Sequence, residues 1–180
     1  MSGITITRML LIVLLGAGLG VVNKYVNPNA PEFVGYYPVI SATDTAKIPE
    51  AAEEGDPPYI SIGEAADFFN TPGVLFVDAR DEWDYNEGHI KGAINLPFET
   101  DDETILEKFI ARTPKDKQLV VYCNGADCDL SLYMGRTLAA EGYTGVHIFF
   151  GGWTDWQLQQ LPVAKAAPAD DKRSETGENN

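Results

Sequence analysis

The 180-residue chain has only two cysteines, Cys123 and Cys128, and only two histidines, His89 and His147. The histidines are isolated and stand at no ligand-like spacing from the cysteines, so these four residues do not make a zinc site. Basic residues are scarce too: 13 Lys and Arg face 27 Asp and Glu, a formal net charge of −14. With no basic stripe to neutralise phosphates, a general nucleic-acid role is excluded, and the acidic surface mainly reports solubility. The uncharged N-terminal run, Met9 to Val22, is only fourteen residues long. At ~1.5 Å per residue it falls short of the ~20 residues a spanning helix usually needs.

That run leaves two readings of residues 1–26. Its basic flank at Arg8 and its short apolar core suit a signal peptide, with Gly18 and Gly20 as small residues near a cleavage site. Alternatively an uncleaved apolar helix extends from Ile4 to Tyr25, with Arg8 and Lys24 reaching the two interfaces. No crisp Ala-x-Ala follows the run and a spacer comes next, which favours the anchor. The folded part is then expected to be membrane-anchored and extracytoplasmic (periplasmic), or secreted if the segment is cleaved. Residues 27–58, rich in Pro, Ala, Glu and Asp, read as a spacer within which Tyr36, Tyr37, Val39 and Ile40 are apolar enough to dock locally.

What the chain does have is a stretch from Leu119 to Leu138 in which an apolar run ends on a cysteine and becomes an amphipathic helix. Leu119 to Tyr122 show no polar alternation, as expected of a strand covered on both faces in a parallel sheet. Leu130, Met134 and Leu138 recur at helical spacing, with Asp129 or Asp127 available as N-cap. Cys123 thus sits at the carboxyl end of a strand and ahead of a helix N-terminus, where open α/β sheets bind ligands. A helix N-terminus favours a thiolate, and Gly125 with Ala126 lets backbone N–H groups turn inward around the sulfur. The alternative is that Cys123 is a small buried hydrophobe at a strand end.

Around this stretch the sequence predicts a short strand at Tyr59 to Ile62, a helix from Gly63 to Asn70, and a buried strand from Val74 to Val77. A short helix opens at Glu82, a strand lies near Ala93 to Asn95, and Thr104 to Arg112 form a helix stopped by Thr113-Pro114. The central helix runs from Leu130 to Glu141 and Gly142 ends it. Val146 to Phe150 make the last strand, and Gly151-Gly152-Trp153 opens a closing helix through Gln159. Residues 162–180 read as a disordered acidic tail.

Three motifs in order, Asp78-Ala79-Arg80 with Glu82 and then Gly88 to Pro97, Tyr122-Cys123, and Gly151-Gly152-Trp153 with Trp156, resemble the rhodanese (sulfurtransferase) homology domain over residues 59–161. The resemblance implies an α/β fold with a central parallel sheet and helices on both faces, here preceded by one N-terminal apolar helix. It implies that Cys123 takes a sulfane sulfur as a persulfide from a small sulfur-containing donor and passes it to a thiol or other nucleophilic acceptor. It also implies that Asp78 and Arg80 support the loop, that His89 is structural, and that no metal or organic cofactor is required.

The loop Cys123-Asn124-Gly125-Ala126-Asp127-Cys128-Asp129 departs from the commonest family pattern, being about two residues longer and lacking any Arg or Lys. Asp127 and Asp129 repel a dianion and disfavour a thiolate, which argues against thiosulfate as donor. Tyr122 before the cysteine, and no arginine six residues after it, argue against the phosphatases and arsenate reductases of the same superfamily. Cys128 lies close enough to resolve a persulfide or sulfenic acid into a disulfide, or simply packs under the loop. Three functions are therefore carried forward: a membrane-tethered sulfurtransferase, a thiol-disulfide protein using both cysteines, and a binding module that leaves its cysteine unused.

Overall fold

The computed structural model describes residues 44–125 and 127–165. The expected N-terminal apolar helix (1–26), residues 27–43 of the spacer, Ala126, and the tail from residue 166 lie outside the described residues. Among the described residues no helix is long and apolar enough to cross a membrane.

Helix α1 (Ile62–Asn70) starts in a capping box: Ser61 Oγ accepts from the Glu64 N–H, and the Glu64 carboxylate accepts from the Ser61 N–H at 2.8 Å. This corrects the expected strand at Tyr59 to Ile62. Ser61 is already committed to the helix, and only Tyr59 bridges a strand, at Ile148.

Four parallel strands follow: β1 (Leu75–Asp78), β3 (Ile94–Asn95), β4 (Gln118–Tyr122) and β5 (Gly145–Phe149), in the order β3-β1-β4-β5. Between them lie α2 (Glu82–Glu87), the two-residue β2 (His89–Ile90), α3 (Thr104–Arg112) and α4 (Leu130–Ala140). The chain closes with α5 (Gly152–Leu158) and β6 (Val163–Ala164).

Successive strand residues face opposite sides, so the sheet feeds two cores. Phe76, Val120 and Tyr122 pack with Ala65 and Ala66 of α1 and Trp156 of α5. Val77, Leu119 and Val121 pack with Phe109 of α3 and Met134 and Leu138 of α4. The expected layering, a parallel sheet with helices on both faces, is what the structure has.

Two segments are more ordered than their composition suggested. Residues 44–58, read as spacer, are tied to the domain: Arg136 Nε sits 2.6 Å from Asp56 Oδ1, Asp44 accepts from Ser61 Oγ at 2.9 Å, and Lys47 pairs with Asp155 at 2.8 Å. The start of the expected disordered tail pairs as well, β6 lying antiparallel to β2 with Ile90 opposite Val163. Composition reports how little these segments can bury alone, and docking against a finished domain overrides it.

Candidate active site

Strands β1, β4 and β5 end abreast, with Asp78, Tyr122 and Phe149 in register, and the working loops leave from this edge. Arg80 folds back on Asp78, with Nε 2.9 Å from Oδ1 and Nη2 2.6 Å from Oδ2. Burial works against the guanidinium charge, but the bonds to Asp78 outweigh it and hold its pKa above the usual value. Nη2 also donates to the Gly88 carbonyl at 2.7 Å, and the cation lies 5.1 Å from the Trp153 ring centroid. Arg80 reaches the loop at Asn124 Oδ1, 3.4 Å away, while Asp78 matches its charge. The pair thus forms a buried floor under the loop.

The loop is clamped from the other side by the first turn of α5. Trp153 N–H donates to the Cys123 carbonyl at 2.8 Å, and Thr154 donates to the Asn124 carbonyl through its N–H at 2.9 Å and its hydroxyl at 2.7 Å. That approach requires glycine at 152, which has φ +58° and no room for a Cβ against the Cys123 carbonyl. At Gly125 (φ +145°) a Cβ would sit 3.1 Å from the Gly151 carbonyl oxygen. The Cys128 N–H closes a turn on the Gly125 carbonyl at 2.9 Å.

Inside this turn the two cysteines differ sharply. Cys123 has no exposed surface; its Sγ donates to the Cys128 carbonyl at 2.8 Å and lies 3.4 Å from Ser131 Oγ. Contact with the Cys128 side chain and burial together push its pKa far up, while the Ser131 hydroxyl and N–H pull the other way. Cys128 is half-buried, and hydrogen bonding from Cys123 brings it down to about 6 against its own desolvation, helped by the N–H groups of Leu130 and Asn124. The expectation of a reachable Cys123 does not hold in this closed loop: Cys128 borders the open cleft, and Cys123 lies fully buried beneath it.

Asp129 occupies the N-cap position of α4 without making a side-chain cap bond, and Asp127 is exposed. Beyond Cys128 opens a cleft of about 370 Å³ lined by Asn124, Asp127, Cys128, Thr154, Asp155 and Lys47. Cys123 does not line it. Lys47, Ser131, Thr154 and Asp155 were not picked out from sequence. Ser131 is a loop neighbour that spacing could have flagged, whereas Lys47 arrives from a segment distant in the chain.

His89 makes the expected structural contact, its Nδ1 2.8 Å from the Tyr85 carbonyl oxygen and its ring stacked on Tyr85. His147 lies against Phe68 with ring centroids 4.6 Å apart. Among the described residues no group of three or more His, Cys, Asp or Glu could hold a metal ion.

A family model for the rhodanese-like domain matches residues 61–159, more than half of the chain. The chain belongs to the rhodanese-like family. Over 95 residues it is 35% identical to the HTH-type transcriptional regulator Rv0324 of Mycobacterium tuberculosis, covering 53% of this chain and 39% of that one. It is 34% identical over 96 residues to the tRNA uridine(34) hydroxylase of Hamiltonella defensa, covering 52% and 26%. The rhodanese-like region therefore spans less than half of the length of these two relatives. A solved structure of an EanB variant in complex with hercynine shares the fold, with a TM-score of 0.53 at 21% identity, over 61% of this chain and 28% of that one.

Proposed function

We propose that this rhodanese-like protein is a sulfurtransferase that carries a sulfane sulfur as a persulfide on Cys123. The observation that carries this reading is the cup at the strand end: Cys123 held against Ser131 and Cys128 at the mouth of a parallel sheet, in a loop clamped by α5. In the first half-reaction the outer sulfur of a small persulfide or polysulfide donor is transferred to Cys123, and the donor thiolate leaves. In the second, a thiol or other nucleophilic acceptor attacks that same sulfur and Cys123 leaves as thiolate. One difficult transfer becomes two easier ones, with the Ser131 hydroxyl beside the sulfur between them. Cys123 has no exposed surface, so the Cys128 carbonyl that its thiol meets at 2.8 Å moves aside during the cycle.

The N-terminal segment 1–26 tethers the domain to a membrane on its extracytoplasmic side in this reading, and a topology reporter fused after Leu161 tests that placement. Neither half-reaction involves a metal or organic cofactor. Steady-state transfer from several sulfur donors to a thiol acceptor tests the activity. Turnover by the natural chain and its loss in Cys123→Ser are expected, and equal turnover by both proteins would refute the assignment.

A second reading, a thiol-disulfide protein that oxidises Cys123 and Cys128 to a disulfide, is supported by the contact between the Cys123 thiol and the Cys128 backbone. Free-thiol titration before and after mild peroxide, with Cys128→Ser as control, tests it, and unchanged thiol content would remove it.

A further inference from the structure

The two sulfurs of the loop are not equivalent to a molecule arriving from solvent. The cleft of about 370 Å³ at the loop is lined by Cys128 and not by Cys123, which is fully buried behind it. A donor seated in this cleft meets Cys128 first. The cleft is also completed from outside the family-matched region: Lys47, fourteen residues before its start, bridges to Asp155 of α5 at 2.8 Å and forms one wall.

We propose that Cys128 is the receiving thiol of this protein and that the cleft bounded by Lys47, Asp127 and Asp155 is its donor site, Cys123 taking the sulfur from Cys128 rather than from the donor. This rests on the sulfurtransferase reading above and adds an order to it. The Cys128 thiolate attacks the outer sulfur of the donor, forming Cys128–S–S⁻ as the donor thiolate departs. Cys123 then attacks that outer sulfur. Its proton passes to the departing Cys128 sulfur, leaving Cys123–S–S⁻ and Cys128–SH, with no external oxidant or reductant consumed.

The contacts suit this order: the Cys123 thiol already donates to the Cys128 carbonyl at 2.8 Å, so the two residues touch without any approach from solvent. The cleft also indicates the donor class. Lys47 is already matched by Asp155, which leaves Asp127 as the uncompensated charge at the wall, so a small persulfide bearing an ammonium group fits better than an inorganic dianion.

The test is a rapid-quench single turnover of the full chain with cysteine persulfide, read by peptide mass mapping, for the natural sequence, Cys123→Ser and Cys128→Ser. Cys123→Ser is expected to take one sulfur and keep it on Cys128. Cys128→Ser is expected to load Cys123 at least about tenfold more slowly, a barrier increase of about 1.4 kcal/mol. Thermal melting of each variant confirms that it is folded. Loading of Cys123 in Cys128→Ser at the natural rate, or no sulfur on Cys128 in Cys123→Ser, would overturn the order while leaving the sulfurtransferase reading intact. No sulfur on either cysteine of the natural protein would overturn both.

Discussion

The thiol of Cys123 donates to the backbone carbonyl of Cys128 across 2.8 Å, so the residue expected to be the nucleophile is closed off by the residue five positions after it. Cys128 in turn borders the open cleft that Cys123 does not reach.

Thiol labelling reports that order directly. Iodoacetamide is expected to modify Cys128 well before Cys123. Because the thiolate is the reactive form and its fraction grows as pH rises through the pKa, Cys128 labelling should climb through about pH 6, below the range of an ordinary thiol near pH 8.5. Peptide mapping that finds Cys123 modified first would contradict the closed-loop geometry.

The buried floor is a stability element. Asp78 and Arg80 are almost fully buried and joined by two bonds, so Asp78→Asn leaves the guanidinium charge without its partner. Breaking such a pair costs about 3–5 kcal/mol, and the denaturation midpoint should fall accordingly. A midpoint within error of the natural protein would show that the pair carries little.

Acid should loosen the docked segment at residues 44–58. The Arg136 guanidinium, with the Glu53 N–H and the Tyr59 hydroxyl, holds the Asp56 carboxyl well below the usual carboxylate range. A depressed folded-state pKa gives stability that is fully present above the unfolded value near pH 4 and is lost as pH falls from there toward the folded value. Melting temperature is therefore expected to drop more steeply on acidification for the natural protein than for Asp56→Asn, and parallel profiles would contradict the assignment.

Donor charge provides a further check. With Asp127 facing the cleft and no Arg or Lys in the loop, thiosulfate should load sulfur more slowly than cysteine persulfide, and Asp127→Asn should narrow the gap. Faster loading from thiosulfate would show that Lys47 and Arg80 dominate the local field.

Much of this architecture is legible in the residues because its signals are local. The helix Thr104–Arg112 lies where its apolar spacing and Thr113-Pro114 place it. Gly142 adopts the positive φ expected of a helix stop. The strand ahead of Cys123 shows in its unbroken apolar run.

What is not legible depends on contacts between segments distant in the chain. Two-residue strands such as β2 and β6 have too few residues to show a period, and their pairing joins positions some seventy residues apart. Lys47 reaches the cleft only because Asp44 and Asp56 pin its segment to α1 and α4. Burial of Cys123 was one of two alternatives at the strand end, and it is decided by the Cys128 carbonyl that meets its thiol and by the backbone bonds with which Trp153 and Thr154 hold the loop.

The most direct test of the account is the location of the covalent sulfur in the natural protein after a complete single turnover with cysteine persulfide and before any acceptor is added. A persulfide on Cys123, with Cys128 returned to the free thiol, is the result expected. Recovery of Cys123 as an unmodified thiol, whatever has happened to Cys128, would contradict it.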